Sequence, residues 1–321
     1  MSEASHRPAH GVWVFPSTPA ITIIDAIVAA EQLGIDEFWL GDEGPARDPF
    51  TVLAAAAMRT SRILLGIAVT NPYLRHPLTI AAEAMTVDEL SGGRMRLGIG
   101  PGGQVALGPA GVERALPLTR VRDALRTIRA VASGTEAAGY TPPPGAFVRP
   151  ELKVFVGSRG QKFQELASAE ADGAFLGGLP ASVIERTVGW ARSVRDIPIA
   201  LYSTGVFGVE EADALRAGMI MPLADSPEHS LLALGLDRRD VLAAAAALAA
   251  GDDGPARNVV SPAVFGDLVL SGSTEDIGAE LANRVRRHSP ASIGMTFTTN
   301  DPLSVVESSA AAFEVMDRLL G

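Results

Sequence analysis

Short runs rich in β-branched and aliphatic residues recur eight times in this chain, at 11–15, 37–41, 63–69, 95–100, 153–156, 174–177, 197–202 and 292–297. Longer stretches with helical spacing separate them, at 21–33, 49–60, 78–91, 117–133, 161–171, 181–194 and 277–288, and a last one, 303–320, follows the eighth run. Regular strand–helix alternation implies a parallel sheet, because parallel neighbours need long crossovers. Eight such units predict a closed (βα)8 barrel, the TIM barrel, rather than an open sheet. Two stretches exceed the repeat. Residues 134–150 include Pro142, Pro143 and Pro144 and read as an irregular loop before strand five, and about 207–272 reads as a helical insertion between strands seven and eight. Barrel insertions commonly wall the active site, so both are expected to do so here, within one domain spanning 1–321.

Composition narrows the function classes. Cysteine is absent, which excludes disulfides, thiolate metal sites and a cysteine nucleophile. The five histidines are scattered with no ligand-spaced pair, so no metal site is expected. A formal net charge of −10 disfavours nucleic acid and anionic membrane as partners. No apolar run reaches the ~20 residues of a membrane span; the alanine-rich run 243–250 is short and lies between Asp240 and Asp252. The first ten residues are polar and lack the apolar run of a signal peptide, so a cytoplasmic protein is expected.

Chemistry-bearing residues gather where the strands end, which is where barrels place their active sites. Asp42 and Glu43 close the second strand in WLGDE; each reads either as an acid/base group or as a loop cap, and an extended backbone would aim only one at the pocket. Asn71, in TNPY after strand three, reads as a ligand contact or a turn cap, and His76 as a surface or capping residue. Gly100, Pro101 and Gly102 open a loop whose backbone can approach a flat ring or a phosphate, or simply turn tightly. Gly157, Ser158, Arg159 and Gly160 lead into a helix start, where free amides and the helix dipole favour an anion. The other reading there is an ordinary turn with a solvent-exposed Arg159. Gly177 and Gly178 have the same permissive character and could complete the cradle.

In order and spacing, these pieces resemble the bacterial-luciferase-like superfamily, and most closely its members that use the deazaflavin coenzyme F420, the methylenetetrahydromethanopterin reductases and their relatives. The resemblance runs through EQLGIDEFWLGDE, LLGIAVTNPYLRHPLTIAAEAMTVDELSGGRMRLGIGPGG, PLTRVRDALRTIRAVASG, VFVGSRGQKFQELA and LVLSGSTEDIGAEL. It implies an oxidoreductase that passes hydride between coenzyme F420 and a small organic substrate, with FMN and monooxygenation as the alternative on the same scaffold. It also implies a homodimer. A bulge with a non-prolyl cis peptide at Ala68–Val69 would back the ring, with Thr70 and Asn71 at its edge. Gly100, Pro101 and Gly102 would approach the ring, and Gly157 to Gly160 would bind phosphate. Departures are visible: Glu43 stands where relatives often carry histidine, the first strand ends in Phe15-Pro16-Ser17-Thr18 without an acid, and Gly103-Gln104 replaces the glutamate of sugar-phosphate-oxidising relatives. These departures keep a second class of reading open, a flavin- or deazaflavin-binding protein without turnover.

Overall fold

A computed structural model describes residues 7–44, 46–137 and 139–321. Eight parallel strands close into a barrel: β1 (Ala9–Val14), β2 (Glu37–Leu40), β3 (Leu64–Thr70), β4 (Met95–Ile99), β5 (Lys153–Gly157), β6 (Gly173–Gly177), β7 (Ile199–Phe207) and β9 (Ser292–Phe297). β7 closes the ring by pairing with β6 on one side and β9 on the other. The ninth strand, β8 (Val269–Gly272), pairs only with the far end of β7, at Thr204 to Phe207. β7 thus overruns the barrel and forms a short ribbon with β8, a feature the sequence reading stopped short of.

Strand alternation sorts the residues into two cores. Val12, Val14, Leu65, Leu97, Val154 and Leu201 face outward and are sealed under the helices, each such side chain contributing about 1.5–3 kcal/mol on burial. The inward row is aromatic: Trp39, Phe175 and Tyr202 fill the barrel with Phe155 and Trp13 against them. Room for these rings comes from glycines on neighbouring strands. A Cβ on Gly66 would lie 2.2 Å from the Trp39 ring, and one on Gly11 1.6 Å from the Tyr202 hydroxyl. Beneath the rings the buried Glu37 carboxylate accepts from the Trp39 indole (2.9 Å), the Tyr202 hydroxyl (3.0 Å) and the Ser292 hydroxyl (2.7 Å).

The outer helices begin and end on sequence-encoded signals. Asp48 accepts from the Thr51 amide at 2.8 Å ahead of Pro49–Ala57. His76 caps Pro77–Ser91 through a 3.2 Å bond from the Leu78 amide, and Gly92 ends that helix at φ 68°. Ser273 and Asp276 form a reciprocal capping box at the start of Thr274–His288.

The two extra segments part company. Residues 209–268 form short helices around an apolar cluster of their own, including Ile220, Leu223, Leu231, Val241 and Phe265, and they cover the strand C-terminal end. Residues 134–150 do not wall that end, contrary to expectation. They join a helix to the start of β5, so they lie at the opposite face, where Arg149 pairs with buried Asp88 at 2.6 Å.

Candidate active site at the strand C-terminal end

The β3–β4 register slips between Ile67 and Thr70, so one extra residue bulges inward, and the Ala68–Val69 peptide within it is cis. The bulge turns Val69 across the tops of β4 and β5. A Cβ on Gly157 would lie 2.4 Å from Val69 Cγ1, and one on Gly100 would lie 2.4 Å from the Gly157 carbonyl oxygen and 2.7 Å from Val69 Cγ2. The glycines of these two strand ends are therefore demanded by the valine and by the close approach of the two strands. The Trp13 indole N–H donates to the Ala68 carbonyl oxygen and fixes the bulge from the side of β1.

Above this floor lies a cavity of about 1480 Å³. Of the residues anticipated from sequence, Asp42, Glu43, Ala68, Val69, Pro101 and Gly102 line it, as do Gly157, Ser158, Arg159, Gly160, Gly177 and Gly178. Thr70, Asn71 and Gly100 do not. The Gly100 amide donates to the Thr70 carbonyl at 2.9 Å in the wall behind the surface. Asn71 is buried and takes the capping role, accepting from the Tyr73 (3.1 Å) and Leu74 (3.0 Å) amides. His76 takes its capping role as well.

Asp42 and Glu43 both reach the cavity wall, where strand alternation allowed only one. The reason is that β2 ends at Leu40, so residues 41–43 are free of the two-residue period. Their surroundings differ. Asp42 accepts from Arg75 at 3.0 Å, and Arg75 also binds Asp48 and Glu83 (3.2 Å). Burial disfavours the Arg75 charge, but its bonds to Asp42 and Asp48 outweigh this and hold its proton more firmly than usual. Glu43 forms no ion pair among the described residues. The side chain is exposed to the cavity, yet the protein around it displaces enough water to push the carboxyl up from its ordinary value, with Arg159 pulling the other way and Asp225 and Asp42 adding to the rise.

Arg159 corrects the sequence reading. It is not a free rim cation: its guanidinium donates to the Pro222 carbonyl (3.0 Å) and the Ser226 hydroxyl (2.9 Å), both in the insertion. Enclosure lowers its pKa, while Asp225 and Glu43 raise it. Arg114 adds a second tie, donating to the Gly102 carbonyl at 2.9 Å and lying 3.6 Å from Asp225. Trp13, Arg114 and Asp225 escaped the sequence reading. Trp13 carried a signal, since it shares the inward parity of Gly11 in β1; the other two carried none.

The residues present fit a flat, phosphate-bearing ring. The floor is small side chains and close main chain, as a planar ring requires. The helix Gln161–Glu170 starts at Gly160 with no side-chain cap, leaving first-turn amides for an outside acceptor. The volume exceeds the ~300–1,000 Å³ of a single drug-sized ligand, which suits a cofactor together with a substrate.

Comparison with known proteins points the same way. The family model for luciferase-like monooxygenases matches residues 6–290. The chain belongs to this family. Among its relatives, the 5,10-methylenetetrahydromethanopterin reductase of Methanolobus tindarius is 28% identical over 289 residues, covering 84% of this chain and 89% of the reductase. In three dimensions, the coenzyme F420-dependent tetrahydromethanopterin reductase of Methanopyrus kandleri superposes with a TM-score of 0.82 at 21% identity, covering 98% and 100% of the two chains. An F420-dependent secondary alcohol dehydrogenase, solved with an F420–acetone adduct, gives a TM-score of 0.70 at 16% identity over 96% and 99%. As a luciferase-like barrel the chain is an oxidoreductase, with its cavity at the strand ends where the family fold is open. Among the described residues no helix is long and apolar enough to cross a membrane, and no cluster of three or more His, Asp or Glu could hold a metal ion.

Proposed function

We propose that the cavity binds a deazaflavin of the coenzyme F420 type and that the protein passes hydride between it and a small organic substrate. The observation that carries this reading is the cavity itself: a glycine-lined floor at the Val69 bulge, an uncapped helix start at Gly160, and one carboxyl on its wall, Glu43, left outside the Arg75 ion-pair cluster. The relationship to the methanogen reductases supports the choice of cofactor. When bound, the deazaflavin supplies a carbon centre that gives or takes hydride and reacts poorly with oxygen.

The chain's own residues then have defined tasks. Ala68, Val69 and Trp13 form the floor on which a ring lies. The first-turn amides of Gln161 and Lys162, with the Ser158 hydroxyl, receive phosphate. Asp42, fixed on Arg75, shapes the wall. Glu43 holds the mobile proton: hydride delivered to the carbon of a C=O or C=N bond leaves a heteroatom that needs a proton, and the Glu43 carboxyl gives it. The reverse reaction returns the proton to Glu43. Its raised pKa brings it nearer neutrality, where a general acid works best.

Fluorescence titration tests the cofactor assignment. Coenzyme F420 is expected to bind at least tenfold more tightly than FMN, and the reverse order would favour the monooxygenase reading. Arg159→Met is expected to weaken either cofactor by a few fold only, because Arg159 is engaged by the insertion, and to lower the melting temperature measurably because that tie is lost. Unchanged melting with a large loss of cofactor affinity would restore Arg159 to the phosphate site.

We also propose a symmetric homodimer formed through the alanine-rich helices Pro49–Ala57 and Pro77–Ser91, where Met58, Leu78 and Leu90 are exposed. An obligate interface would bury about 2,000 Å² or more. Light scattering at micromolar protein is expected to give twice the chain mass of 33.4 kDa, and a monomer mass would refute it.

A further inference from the structure

The wall opposite the glycine floor has a composition that selects among substrates. It is built by the overrun of β7, by β9 and by the insertion. Phe207 and Phe297 stack there at 6.0 Å with an interplanar angle of 21°, and Leu215, Met219 and Leu268 face the same space. Lower on the same strands, the Thr204 and Thr296 hydroxyls meet at 3.4 Å, and both line the cavity.

Charge is arranged around this compartment rather than inside it. Lysine is absent from the described lining, and its three arginines are committed elsewhere. Arg159 donates to Pro222 and Ser226. Arg238 donates to Glu228 (2.9 Å) and to the Ser226 carbonyl (2.7 Å), and Arg114 to the Gly102 carbonyl beside Asp225. The acids on this wall are engaged as well: Asp225 lies 3.6 Å from Arg114, and two others turn back on the backbone. Glu211 folds back over Gly208, where a Cβ would lie 2.2 Å from its carboxylate oxygen. Asp301 caps the last helix by accepting from the Ser304 amide at 3.1 Å.

We infer that the substrate compartment takes a largely apolar, non-anionic small molecule bearing a hydrogen-bond-accepting carbonyl or imine, held between the Phe207–Phe297 pair and the Thr204 and Thr296 hydroxyls. A carboxylate placed there would lose its hydration where every lining arginine already bonds to the protein, and burying an unpaired charge is strongly unfavourable. A neutral carbonyl needs only one donor, which either threonine supplies. Phe207, Phe297 and Leu215 thereby become specificity-determining residues. The inference rests on the proposed hydride-transfer reading for what happens next to the ligand, but not for its binding.

Two ligands of one shape test it by calorimetry, with and without coenzyme F420: cyclohexyl methyl ketone and cyclohexanecarboxylate. The ketone is expected to bind at least tenfold more tightly than the carboxylate, a difference of about 1.4 kcal/mol. Phe207→Ala is expected to weaken the ketone several-fold, and Leu215→Arg to bring the carboxylate level with it or ahead. Equal or tighter binding of the carboxylate to the wild type overturns the inference, and so does failure of both to bind. Failure of coenzyme F420 to bind, with the ketone preference intact, would instead remove the cofactor assignment and leave the compartment standing.

Discussion

Glu43→Gln is expected to lower kcat by about 10²–10⁴-fold, the usual weight of a positioned general acid or base, with any substrate that the wild type turns over. Cofactor affinity should stay within about twofold, because the change alters the proton and not the floor of the cavity. The pH dependence has a fixed sign. The surrounding protein raises the Glu43 pKa, so the carboxylic acid needed for reduction is present at low pH and is lost as pH rises through the raised value. Rates of substrate reduction should fall across that window in the wild type, and Glu43→Gln should flatten the profile. Stability follows the same sign, since the folded state binds more protons between the unfolded and folded pKa values. The side chain is exposed and screened by solvent, so this contribution is small and the variant is expected to melt no lower than wild type. Full activity in Glu43→Gln would move the proton to Asp42 or to solvent. Tight cofactor binding by a wild type inert toward a broad substrate panel would favour the binding-protein reading.

Glu37→Leu is expected to be the most damaging change for the fold. Three buried donors converge on that carboxylate, from Trp39, Tyr202 and Ser292. Tyr202 and Ser292 lie 3.3 Å apart and can partly satisfy each other, but the Trp39 indole is then left with no acceptor. An unsatisfied buried donor costs about 1–3 kcal/mol and a lost bond to a charged group about 1.5–3 kcal/mol, so a loss of at least ~3 kcal/mol is expected. That corresponds to a fall in melting temperature of at least roughly 4–5 °C, at about 1.5 °C per kcal/mol for a chain of this length. Glu37→Gln keeps an acceptor oxygen and should lose much less. A leucine variant melting within a degree or two of wild type would show that the ring cluster alone holds the barrel interior.

What the sequence revealed and what it hid divide by the range of the interactions. The barrel was legible because each strand and helix announces itself locally: Asp48, His76 and Ser273 cap, Gly92 stops, and the outward residues of each strand are aliphatic. The Ala68–Val69 bulge came from family resemblance and is present. The rim was harder. Strand alternation misjudged Asp42 and Glu43 because β2 ends at Leu40, one residue short of the expected run and two before Asp42. Arg159 looked free because its partners, Pro222 and Ser226, lie more than sixty positions along the chain. β8 is four residues long and exists only because β7 overruns the barrel, which no local pattern encodes. The proline-rich segment was judged by its irregularity, whereas its place, ahead of a strand, assigns it to the far face.

The ribbon of β7 and β8 has a consequence for how such a barrel diversifies. Gly208 and Gly272, at φ 93° and φ 137°, stand side by side, and the Gly208 amide donates to the Gly272 carbonyl at 3.4 Å. Everything between them leaves and re-enters the barrel through one doorway. That intervening stretch packs on itself and is fastened to the rest by the β7–β8 ladder and a handful of side-chain ties. The closed eight-stranded ring takes no strand from it, so substrate recognition can diversify there while the ring is kept.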